Sequence, residues 1–205
     1  MDLASFGHLF TFFIIIVPLA IIHEYFHGYV ANLLGDPTAK YAGRLTLNPL
    51  AHMDIWGTVI LPITLSLASG GSFVFAYAKP VPVNPLYLRG RYSWALVAAA
   101  GPAANFLTAG VFGLLLRLLP WSNFSSILAV IVFYSILLGV FNLLPIPPLD
   151  GSKIIFPFFP PSWLPARIFL EQFGFVFLLM FLLMGFSWLS PILFWLFRLF
   201  TGLTF

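Results

Sequence analysis

The stretch LFTFFIIIVPLAIIHEYFHGYVANLL, Leu9–Leu34, sets the terms on which this chain can fold. It exceeds the roughly 20 apolar residues that one helical crossing of a hydrocarbon core requires. Yet near its middle stand His23, Glu24 and His27, side chains that are costly to place in lipid. Gly35-Asp36-Pro37 stops the run. Asp2 but no Lys or Arg precedes it, so the basic start of a cleaved signal peptide is missing and a retained helix is expected.

The rest of the composition agrees. Of 205 residues, 61% are hydrophobic and 7% charged, against about 25% charged in soluble domains. Nine Lys and Arg with six Asp and Glu cannot build a water-facing surface around 25 Phe and 6 Trp. The mean hydropathy of +1.03 describes a protein whose solvent is lipid. The absence of cysteine excludes disulfides, thiolate metal sites, iron–sulfur clusters and a cysteine nucleophile. A net charge of +3 then reads as membrane orientation and not as nucleic-acid binding.

Tyr92–Leu119 and Phe124–Leu144 are two further spanning runs. Ile55–Ala68 is apolar but short and contains Pro62. After it, Phe73, Phe75 and Tyr77 alternate with Val74, Ala76 and Ala78, the period of a strand. Lys79–Pro85 continues extended, since residues before proline leave the helical region. A proline-dense stretch, Pro145–Pro165, leads to Phe169–Phe205, expected as a helical hairpin turning near Gly185 to Pro191. The expected fold is an all-α polytopic membrane protein, a bundle of about five to six transmembrane helices with a short re-entrant β-hairpin. Residues 1–152 would form the catalytic core, with the re-entrant segment near 55–90, and 153–205 the proline-rich loop and hairpin.

Charge supports re-entry. If Ile55–Ala68 returns to the side it left, Arg117 stands alone and the other Lys and Arg share one face, as the positive-inside rule prefers. The multi-pass chain, in the cell membrane, would then have the ends carrying His27 and Asp150 toward the cytoplasm. A full crossing would put those two residues at opposite faces.

His23 and His27, four apart, project from one helix face, the HExxH spacing that lets two nitrogens reach one zinc ion at about 2.0–2.1 Å. Glu24 is turned about 100° away and suits a general base on the water of a catalytic metal. Such a zinc needs a third protein ligand, and the candidates are His8, Asp36, His52, Asp54, Asp150 and Glu171. Asp150, following the third strong helix on the side of His27, is the best of them.

With these motifs the chain resembles the site-2 protease family of intramembrane zinc metalloproteases. The matching residues are His23-Glu24-Tyr25-Phe26-His27, Gly101-Pro102-Ala103-Ala104-Asn105 and Asn142 through Gly151. The resemblance covers about residues 8–152 and implies one zinc per chain, held by His23, His27 and Asp150, with Glu24 as base. It also implies that Asn142 holds the substrate backbone and that substrates are single-pass membrane proteins cut within or beside their span. The chain reads as a compact form without a PDZ or nucleotide-sensing domain.

Asn105 is a second candidate for substrate contact, against a plainer role in packing its small-residue helix. The 73–83 strand can capture an unwound substrate by edge pairing or serve only as structure. A membrane metal-ion transporter is the rival function, since intramembrane His and Asp also mark ion pathways. No two-half repeat supports it. A non-proteolytic binding protein is a further alternative, but its usual sign would be a lost ligand or base, and all four residues are present.

Overall fold

Helices carry most of the described chain, because a backbone that meets lipid must satisfy its own N–H and C=O groups. The computed structural model describes residues 7, 11–70, 79–120, 122–184 and 186–203, which fall into two units, Met1–Tyr87 and Leu88–Phe205.

In the first unit a π-helical turn, Phe12–Ile16, leads into α1, Val17–Leu33. Pro18 lies just past the junction of the π-helical turn with α1, and having no N–H it interrupts the helical ladder there. Two single turns follow, α2 at Thr38–Tyr41 and α3 at Pro49–His52, and a second π-helical turn, Ile55–Ile60, runs into α4, Leu61–Ala68. Asp54 starts that segment by accepting the Gly57 N–H at 2.7 Å. The chain leaves at His52 and comes back to it, since the Lys79 N–H donates to the His52 carbonyl at 3.1 Å. A full crossing between them would have set these groups about 30 Å apart.

The β-hairpin expected here is not found. Phe73 to Ala78 lie outside the described residues, and there is no strand among the described ones. Lys79–Asn84 forms neither helix nor ladder; Pro80 and Pro82 disfavour helix in the residues before them and could donate nothing to a ladder.

In the second unit α5, Ser93–Leu118, and α6, Asn123–Asn142, form an antiparallel pair. Short α7, Asp150–Ile155, precedes two 3-10 turns, then α8, Leu164–Met184, and α9, Phe186–Thr201. The core joins Ala109 of α5, Val132 and Ile136 of α6, and Leu189, Leu193 and Phe197 of α9. Lipid offers no hydrophobic drive between helices, so close packing of small residues must hold them. Gly113 shows it: a Cβ there would sit 2.8 Å from the Phe200 carbonyl oxygen.

Arg117 donates from Nε to the Phe200 carbonyl at 3.0 Å and from its other arm to the Leu199 carbonyl. These are among the last carbonyls of α9, which lack intrahelical partners. Arg198 therefore shares the end of Arg117 and does not join Lys153 and Arg167, as the charge count expected. At the opposite end of the α5–α6 pair, Gly174 of α8 lies directly against the Pro147 backbone.

Among the described residues, four helices are long and apolar enough to cross a membrane: Phe13–Leu33, Ser93–Leu118, Asn123–Asn142 and Pro161–Leu182. Ile55–Ala68 and α9 are also apolar but shorter than the roughly 20 residues of a full crossing.

Candidate metal centre

Within α1 the helical repeat stacks His23 and His27 one turn apart on one face. Their Nε2 atoms lie 3.0 Å from each other, the rings are nearly perpendicular, and both side chains are buried. Two imidazole nitrogens this close can share one proton or face one cation. A zinc ion at about 2.0–2.1 Å from each nitrogen fits that separation, and imidazole is among its preferred donors. These residues fit the metal.

Glu24, turned away from that pair, points its carboxylate at an extended segment of the same unit. Its Oε2 accepts the backbone N–H of Val81 at 2.8 Å. One turn above, Gly28 makes room for the segment: a Cβ there would meet Val81 Cγ1 at 2.8 Å and Ala39 Cβ at 3.1 Å. The sequence reading missed Val81. The available signal was Pro80-Val81-Pro82, in which only Val81 has an N–H to give.

The other ligand candidates in this unit have structural work. Asp36 is fully buried and accepts the Thr38 N–H at 3.0 Å, the Thr38 hydroxyl, and the Asn84 N–H at 2.6 Å. His52 is also fully buried, with Nε2 2.7 Å from the Thr46 carbonyl oxygen. Asp54 caps the helical segment already described. His8 lies outside the described residues.

In the second unit Asp150 opens α7, buried, with the Lys153 ammonium donating to its Oδ1 at 3.0 Å. The turn before it is tight, because a Cβ on Gly151 would fall on the Leu143 and Leu144 carbonyl oxygens. Only glycine fits there. Asn142, half-buried at the end of α6, donates back to the Leu138 carbonyl at 2.9 Å, and Asn105 of α5 is fully buried. Glu171 pairs with Arg167 at 2.8 Å on an exposed face, away from any interior role.

A helix able to span a membrane and carrying the HExxH pair defines a class, the membrane-embedded metalloproteases. Comparison with known proteins narrows it. Residues 117–181 match the model of Peptidase family M50. The chain is 39% identical over 172 residues to "Putative zinc metalloprotease YwhC" of Bacillus subtilis (strain 168), covering 78% of this chain and 74% of that one. It is 30% identical over 186 residues to "Putative zinc metalloprotease Rip2" of Mycolicibacterium smegmatis (strain ATCC 700084 / mc(2)155), covering 86% and 68%. It is 30% identical over 191 residues to the protein of the same name in Mycobacterium tuberculosis (strain ATCC 25618 / H37Rv), covering 87% and 69%. No solved structure matched the chain. The chain belongs to peptidase family M50, the site-2 protease family, and is a multi-pass membrane zinc metalloprotease.

Proposed function

We propose that this metalloprotease is an intramembrane endopeptidase that hydrolyses peptide bonds of transmembrane protein substrates. The observation that carries the reading is the buried His23–His27 pair with Glu24 beside it, inside a helix long and apolar enough to span a bilayer. His23, His27 and Asp150 hold the zinc. The case for Asp150 is its burial, its place after α6, and the structural duties that occupy Asp36, His52 and Asp54. Zinc, when bound, supplies an acidified water and a charge that polarises the scissile carbonyl. Glu24 takes up the water's proton on the carboxylate oxygen that Val81 leaves free. Asn142 contacts the substrate backbone, while Asn105, fully buried, acts on substrate through the packing of α5. The protein lies in the cell membrane with this site toward the cytoplasm.

Two measurements test the reading. A single-spanning protein reconstituted with the enzyme in vesicles should give fragments whose new ends, read by mass spectrometry, fall within or beside the apolar span. Ends only in the water-exposed domains would refute intramembrane cleavage. Lys40, Lys79 and Lys153 should all react with an amine reagent confined to the cytoplasmic side. Labelling of Lys40 and Lys79 from opposite sides would break the topology, which the bond between Lys79 and His52 supports.

A further inference from the structure

We infer that the extended segment Lys79–Asn84 is a fixed strap that aims the catalytic carboxylate, with the Val81 N–H as the positioning group for Glu24. The inference rests on Glu24 being the base.

A glutamate on a helix has three rotatable bonds, and holding it in one geometry costs side-chain entropy that something must offset. The Val81 N–H does so at 2.8 Å, a donor to an ionised oxygen and therefore among the stronger hydrogen bonds. Fixing Oε2 turns Oε1 to a defined direction, which a base needs in order to meet its proton.

The alternative is that the strap covers Glu24 and must lift for activity. The build of the segment argues against this. It is tied at three backbone N–H groups: Lys79 to the His52 carbonyl at 3.1 Å, Val81 to Glu24, and Asn84 to the fully buried Asp36 at 2.6 Å. Pro80 and Pro82 lock φ on either side of Val81. Val81 itself is buried, seated over Gly28. Lifting would break three hydrogen bonds and expose that contact. A stiff, thrice-tied strap is suited to hold.

The test uses the full chain in detergent, a labelled single-spanning membrane protein as the probe, and zinc counted in each sample. Val81→Pro deletes the N–H while keeping the extended conformation of this proline-flanked position. Its kcat is expected to fall about 10²-fold, the scale of a misplaced catalytic group, with KM and zinc content unchanged. Val81→Ala keeps the N–H and should stay well above Val81→Pro. Gly28→Ala drives a methyl into Val81 Cγ1 and against Ala39 Cβ and should lower kcat, and adding Val81→Ala removes the closer of these contacts and should restore part of the loss. That rescue decides the matter if Val81→Pro does not fold. Wild-type kcat in Val81→Pro, equal losses in Val81→Pro and Val81→Ala, or no rescue in the double variant would each overturn the inference. Glu24→Gln separates the two levels: an active Glu24→Gln defeats the base assignment, whereas an inactive Glu24→Gln beside a fully active Val81→Pro defeats only the strap.

Discussion

Glu24→Gln is expected to keep wild-type zinc content while cleavage falls by about 10²–10⁴-fold or more, the range for loss of a general base. Glutamine has the length of glutamate and retains a carbonyl oxygen that can accept the Val81 N–H, so the strap and α1 should stay in place. What it loses is the ability to take up a proton. His23 and His27 are untouched, so the reason for zinc to leave is absent. Substrate should bind and persist, because binding does not need the proton transfer. The measurement is zinc content, substrate co-purification and cleavage in parallel for wild type and variant. Cleavage near the wild-type rate would assign the base to another group. Loss of zinc would make Glu24 part of the metal's support.

Removing a ligand should have the larger effect on the metal. His23→Ala, His27→Ala and Asp150→Ala should each reduce zinc affinity by more than the 10–100-fold that loss of an outer hydrogen-bond partner costs. Three protein ligands leave no redundancy in a site that keeps one position open. Activity should vanish with the metal. For the histidines, each is one half of a pair 3.0 Å apart, and a lone imidazole cannot clamp an ion. For Asp150, truncation also leaves the Lys153 ammonium without its partner, so Asp150→Asn is the companion that separates charge from packing. Zinc retained at full stoichiometry in Asp150→Ala would exclude that residue as a ligand. The search would then return to His52, Asp54 and Asp36, each of which has to be freed from its present bond to serve.

Much of the helical framework was legible because its signals are local. A spanning helix is a long and predominantly apolar run, and Leu9–Leu34, Tyr92–Leu119 and Phe124–Leu144 are all of that kind. The His23–His27 pair was legible for a related reason: four residues along a helix is one turn, so spacing alone brings two imidazoles together. Short elements were read less well. The alternation at 73–78 suggested a strand, and those residues lie outside the described ones; the described Lys79–Asn84 that follows forms no ladder, and its proline-flanked donor goes to a carboxylate. Period two says that a chain is extended, and it does not say with what the backbone bonds.

The membrane solvent and two of the metal donors follow from the sequence itself, because a low charge content dictates the solvent and HExxH brings two imidazoles together, and the resemblance carried by the motifs supplied the class. Asp150 too was chosen from chain order and charge. Tertiary structure alone decided the partners that are distant along the chain. Arg117 reads in the sequence as a solitary charge, and it caps the carbonyls of a helix some eighty residues later. Glu24 and the Val81 N–H are 57 residues apart, and no periodicity relates them. Gly28 reads as an ordinary residue of an apolar helix until the strap is seen to need its missing Cβ. The reason is the same in each case. Periodicity reports which face of one element a side chain takes, whereas a backbone donor or carbonyl looks alike at every residue and acquires a role only when folding brings its partner within 3 Å.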